Sequence, residues 1–172
     1  MKKLAIALLI GIASFASFDS QAQTKNKFGH IDSQSLLEMM PEKDAADKQL
    51  EEFGKSLQSQ LQKMMGEREA KVSDYLANEA TMSELIAETM AEEIQMLDQR
   101  IQKFQQDAQQ SLAKKEAELY QPILDKARKA IEDVAQENGY TYIFDRSAGS
   151  LLYQPESDDI LNLVKTKLGI TE

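Results

Sequence analysis

The sequence predicts a mainly α-helical fold with a small β body, in which a long antiparallel hairpin of two helices stands on a short-stranded sheet. Three observations predict it. Residues 42–138 contain a single proline, Pro122, and are dominated by Glu, Gln, Lys, Ala, Leu and Met, the strong helix formers. Within them apolar residues recur three and four apart: Leu50, Phe53, Leu57, Leu61 and Met64 going out, then Leu85, Ile94, Leu97, Ile101, Phe104, Ala108, Leu112, Leu119 and Ile123 coming back. That stripe is close to a coiled-coil seam and narrower than the face of a helix in a globular core. A single turn signal, Asn78, Thr81 and Ser83, separates the two runs.

The elements follow in order. Residues 1–22 open with Lys2 and Lys3, continue through the apolar run Leu4 to Ala16 and end in Ser20-Gln21-Ala22, the pattern of a secretory signal peptide cleaved after about Ala22. The apolar run is too short for a resident transmembrane helix, so no membrane span is expected after cleavage. Lys27 to Asp32 alternates like a strand, with Phe28 and His30 on one side. A helical turn is predicted over Ser33 to Met40, and Pro41 suits the first position of the outgoing helix, where a missing donor does no harm.

The outgoing helix, Glu42 to Ala77, should be about 54 Å long and the returning one, Ser83 to Asn138, about 84 Å. Thr81 and Glu84 have the spacing of a capping box at the tip, near residues 78–83. Because the return is longer, residues 119–138 must pack against something other than the partner helix. Pro122 removes a backbone donor there and should kink the helix or start a new one. Gly139 suits the C-cap. Tyr140 to Asp145 is the strongest strand signal, with Tyr140, Tyr142 and Phe144 on one side; Leu151 to Tyr153 is a candidate third strand. Ser157 can cap a final helix, Asp158 to Leu168, with Gly169 after its end.

The arm, 42–138, takes two thirds of the roughly 150 residues left after signal removal. Residues 23–41 and 139–172 form the body, whose few strands leave open edges and bury too little to stand alone. Several copies closing their strands into one shared sheet or barrel would cover those edges, so a cyclic homo-oligomer with its arms side by side is expected.

Charge excludes one class of partner. The chain carries 20 Lys+Arg against 29 Asp+Glu; without Lys2, Lys3 and Asp19 the balance is 18 to 28, near −10. Nucleic acid needs a basic surface and finds none. Around the tip, Glu67 to Asp98, nine acids face two bases, whereas Lys103 to Lys129 holds six bases and four acids. There is no cysteine, hence no disulfide, and His30, the only histidine, reads as a structural residue of its strand, with no other His or Cys to complete a metal site or a nucleophile pair. Glu92-Glu93 and Asp158-Asp159 read as solvated helical faces. With no glycine-rich phosphate loop and no cofactor fingerprint, no enzyme and no cofactor are predicted. Gly54 and Gly66, inside the outgoing helix, are candidates for arm flexibility or for close helix crossing.

In its order of elements the chain resembles the Skp/OmpH family of periplasmic chaperones. The likeness rests on the signal, KFGHIDSQSLL leading into a short helix, the Glu/Gln/Lys-rich hairpin, the return through Gln121-Pro122-Ile123-Leu124-Asp125-Lys126, Glu137-Asn138-Gly139-Tyr140 entering YTYIFD, and the last helix opened by Ser157-Asp158-Asp159-Ile160. The resemblance implies a homotrimer with a small β-barrel body and three helical tentacles around a cavity. There it would hold unfolded outer-membrane or envelope proteins without ATP and prevent their aggregation in the periplasm. A basic tentacle cluster proposed in the family to contact lipopolysaccharide is not carried over, because in the matching stretch, Asn78 to Glu93, every charged residue is an acid. A fuel-free holdase has to bind weakly at many points. Met65, Met82, Met90 and Met96, on the outer arm, are the candidates for client contact, since thioethers adapt to many apolar shapes; the alternative is that methionines fill the seam, and Met64 and Met90 fall on or beside it. The rival reading is a structural or adaptor coiled coil of the cell envelope.

Overall fold

The structure, a computed structural model, describes residues 26–149 and 151–170; the segment read as a signal peptide lies outside them. Strand β1, Phe28–Ile31, is followed by α1, Ser33–Glu38, and by the two arm helices, α2, Pro41–Asn78, and α3, Glu84–Asn138, joined through a 3-10 turn at Glu79–Thr81. Strand β2, Tyr142–Asp145, a second 3-10 turn at Glu156–Asp158 and α4, Leu161–Leu168, complete the chain. The protein is thus mainly helical with a two-stranded sheet.

The sheet is parallel, with Phe28 opposite Tyr142, Gly29 opposite Ile143, His30 opposite Phe144 and Ile31 opposite Asp145. Parallel partners need a helical crossover, and here the whole arm serves as that crossover. Gly29 is required by close approach: a Cβ there would lie 2.9 Å from Ile143 Cδ1 and from Tyr140 Cε1.

Local chemistry explains the helix ends. Asp32 caps α1, its carboxylate accepting from Ser35 N–H at 2.9 Å, and Pro41 opens α2 as expected. Gly139 takes the left-handed conformation at φ 69°, ends α3, and lets Tyr140 N–H reach the Ala135 carbonyl at 2.9 Å. Gly169, at φ 71°, ends α4 in the same way.

Several sequence expectations are corrected. The Thr81–Glu84 capping box does not form: Thr81 belongs to the 3-10 turn and its hydroxyl donates to the Asn78 carbonyl at 2.9 Å. Ser83 takes the N-cap position instead, which puts Ile86 rather than an acid at the third helical position. Pro122 starts no new helix, since α3 runs through it unbroken. Leu151 to Tyr153 is not a strand. The third contact with the sheet comes later, where Asp159 bridges His30 in parallel and Ile160 N–H donates to the His30 carbonyl at 3.0 Å. The final helix is shorter than expected and is not capped by Ser157: Asp159 accepts from Leu161 N–H at 2.8 Å, doing locally what Ser157 was expected to do. Finally, Tyr140 does not share a face with Tyr142 and Phe144. Alternation starts only at Tyr142, after the glycine turn, and Tyr140 packs on the inner side beneath the Lys27 ammonium, 3.9 Å from its ring centroid.

The core lies where the arm joins the sheet. Ile31, Leu36, Met40, Ala46, Ile160 and Val164 meet Ile123, Ala127, Ala130 and Val134 of α3, and Leu36, Ile160 and Val164 are wholly buried. The four α3 residues recur at helical spacing on one face, so the part of α3 that outruns α2 is the lid of the body.

Candidate functional site

Beyond the core the arm buries almost nothing. Among the described residues of its outer part only Leu97 is buried; Phe53, Leu57, Leu61, Met64, Ile94, Ile101 and Phe104 are half-buried in the seam. Two helices side by side cannot enclose both flanks of their own stripe. Every residue from Leu76 to Ile86 except Met82 is exposed, so nothing among the described residues covers the tip.

The sequence-selected methionines divide. Met65 and Met96 are 52% and 55% exposed, whereas Met82, Met90 and Met64 are half-buried. Leu85, expected in the seam, is 72% exposed, because it sits in the first turn of α3 beyond the last cross-helix ion pair. Around Gly54 the nearest atom to an added Cβ would be Leu112 Cδ1 at 4.0 Å, and around Gly66 none lies within 4 Å. Neither glycine is demanded by close helix crossing.

Ion pairs link the two arm helices near the tip. Arg68 on α2 pairs with Asp98 on α3 at 2.9 Å, and Lys71 hydrogen-bonds Glu93. Both bases of the tip region are thereby used up. The basic stretch nearer the root is neutralised as well: Lys103 pairs with Asp107, Lys114 with Glu118, Lys126 with Glu42, Arg128 with Asp125 and Lys129 with Asp133. Five of the six bases counted in sequence are thus paired, and no continuous basic patch emerges. At the root, Lys126 holds the Glu42 carboxyl below its ordinary value. Lys43 and then the Tyr120 hydroxyl do the same for Asp47.

The sheet presents a second surface. Phe28, Tyr142 and Phe144 lie on its outer face, 47%, 57% and 43% exposed, with ring centroids 5.9 to 6.4 Å apart. His30 shares that face but is buried under the loop that follows β2, its Nε2 2.9 Å from the Pro155 carbonyl oxygen. Among the described residues no group of His, Asp and Glu is arranged to hold a metal ion. None of their helices is long and apolar enough to cross a membrane.

Sequence reasoning missed the tertiary fastenings of the body. Arg146 lies 3.7 Å from Asp32 and 3.8 Å from Asp159, tying the end of β2 to both neighbouring segments. Asp145 receives hydrogen bonds from the Ser33 hydroxyl and from Ser147 N–H. Burial pushes its carboxyl up, and those bonds more than reverse the effect, leaving it below its ordinary value.

Comparison with known proteins agrees with this architecture. Residues 27–168 match the family model described as outer membrane protein (OmpH-like). The protein named chaperone protein Skp of Photorhabdus luminescens is 28% identical over 148 residues, covering 86% of this chain and 88% of its own. The Vibrio cholerae protein of the same name is 25% identical over 171 residues, covering 96% and 100%. A crystal structure from Caulobacter crescentus described as an OmpH-like outer membrane chaperone superimposes with a TM-score of 0.73 over 83% of each chain; at 16% identity it speaks for the fold alone. These relatives are named as chaperones, not enzymes. With the family model spanning body, arm and final helix, the chain belongs to the Skp/OmpH family.

Proposed function

We propose that this chain is an ATP-independent holdase of the periplasm, a homotrimer whose arms surround a cavity that keeps unfolded outer-membrane or envelope proteins from aggregating. The observation that carries this reading is the arm: two paired helices whose only buried outer residue is Leu97, with Met65 and Met96 half exposed along them. Such a surface offers many weak apolar contacts and no deep pocket, which suits a guest that has to leave again without fuel. Met82 and Met90 join the client-contact residues as the arm flexes. Gly54 and Gly66, with room around each, are the points of flexing, and Pro122 is a bend near the root, where the missing donor weakens the helix.

Assembly follows from the sheet. The outer edge of β2 has no strand partner among the described residues, and the aromatic face of Phe28, Tyr142 and Phe144 lies open beside it. Three copies closing edge to edge would bury both and form the barrel. The segment after β2, with Leu152 and Tyr153 at 101% and 85% exposure, is then free to pair with a neighbouring copy. Export would follow the signal at residues 1–22, with cleavage after about Ala22. The named relatives support the chaperone role.

The test is dilution of a denatured β-barrel membrane protein into buffer, followed by turbidity, with and without the mature protein. Clear solution at one trimer per client is the expected result. Turbidity that rises as in buffer alone would favour an envelope adaptor instead.

A further inference from the structure

We infer that the arm tip is a docking face for cationic, apolar stretches of polypeptide, which gives the holdase a charge-based choice among clients; the inference rests on the holdase reading for where the tip operates. Two independent features coincide there. Leu76, at the end of α2, and Leu85 and Ile86, at the start of α3, are 65%, 72% and 52% exposed where the hairpin turns back. Aliphatic side chains left more than half exposed bury little area in folding, and each offers apolar area to a partner.

The surrounding charge states which partner. Of the nine acids between Glu67 and Asp98, Asp98 and Glu93 are bound to Arg68 and Lys71, the only bases in the segment. Seven acids remain without an ion pair among the described residues, and Glu79, Glu84 and Glu88 each lie within three residues of the aliphatic trio in the chain. Glu84, Glu88 and Glu92 follow one another at a spacing of four on α3, which places like charges in a row and disfavours the isolated helix. Glu84, in the first turn, is favoured by the helix dipole, but Glu88 and Glu92 gain no ion-pair partner among the described residues. A bound Lys- or Arg-bearing segment with apolar residues between its cations removes both costs at once, covering the trio and neutralising the row. A second copy of the tip is excluded as the occupant by the same charges, which repel. An anionic lipid surface is excluded likewise.

The experiment uses the full mature protein and two fluorescent, unstructured peptides of equal apolar content, one with Lys and one with Glu at the intervening positions, read by anisotropy. The expected result is at least about tenfold tighter binding of the cationic peptide at low salt, with the difference gone in 1 M salt, where the Debye length is about 3 Å. The variant Glu79→Gln/Glu84→Gln/Glu88→Gln should lose the preference. The variant Leu76→Ser/Leu85→Ser/Ile86→Ser should weaken both peptides. Circular dichroism verifies that each variant keeps its helices. Equal binding of the two peptides, or an unchanged preference in the triple Gln variant, overturns the inference. The aggregation assay run alongside keeps the two readings apart: protection without charge preference leaves the holdase standing and removes the tip, while charge preference without protection does the reverse.

Discussion

Phe28 and Tyr142 sit opposite one another in the parallel register and stack with centroids 5.9 Å apart and planes 14° from parallel, although both rings are about half exposed. A stacked aromatic pair of that size is normally a core or interface feature. Here the core lies on the other side of the sheet.

Removing the aromatic face should therefore cost assembly rather than folding. The variant Tyr142→Ser/Phe144→Ser is expected to fall from three chains to one by light scattering, with its helical circular dichroism retained. A variant still at the mass of three chains would place the interface elsewhere.

The body's internal core should respond in the opposite manner. Ile160 is wholly buried against Val164 and the α3 face, and Ile160→Ala should cost about 2–5 kcal/mol in urea denaturation, the range for truncating a well-packed aliphatic residue. A change under 1 kcal/mol, on the order of a surface substitution, would mean that this small core adapts to the loss.

Two glycines should give opposite signs. Gly66 has no atom within 4 Å of an added Cβ, so Gly66→Ala should raise stability by about 0.5–1 kcal/mol through lower chain entropy and better helix propensity. Gly29→Ala drives a methyl toward Tyr140 and Ile143, 2.9 Å away, and should destabilise by about 1–3 kcal/mol through overpacking. Melting curves of the two variants decide it. If Gly66→Ala together with Gly54→Ala leaves the range of client sizes unchanged, these positions are not hinges.

The long helices, their turn and the glycine stops were legible because helix propensity, apolar spacing and capping are local. The hairpin is set by Leu57, Leu61, Ile94 and Leu97, which a single sequence displays. Less legible was everything that depends on two segments meeting. Leu151 to Tyr153 has strand composition, yet Asp159 takes the place beside His30, because the Arg146 bracket and the wholly buried Ile160 hold the later segment there. Likewise the alternation of Tyr140 with Tyr142 failed because Gly139 turns the backbone before the strand begins. The count of six bases near the arm root did not show that most of them have acidic partners, such as Glu42 for Lys126, which lies on the other helix.

The paired carboxylates contribute a part of the stability that is lost in acid. Glu42, Asp47 and Asp145 are all held below their ordinary values of 4.5, 3.8 and 3.8. The unfolded chain therefore takes up protons first on acidification. The stability these groups contribute is complete above about pH 5 and is lost as the pH falls through their folded values. Lys43 has the reverse sign: its hydrogen bond to Asp47 raises it above 10.5, so its contribution is present below that value and lost at higher pH. The melting temperature should be flat from about pH 5 to 9 and fall beyond both ends. A fall starting near neutrality would implicate a different group.

Neutron scattering from a complex with deuterated client, in solvent matched to the chaperone, sees the guest alone and asks directly where it is held. The expected signal is one compact client particle, no longer than the two-helix arm's span of about 57 Å and centred between arms and body. A client extended beyond the tips, or spread over the outside of the body, would contradict the enclosure of a guest by the arms.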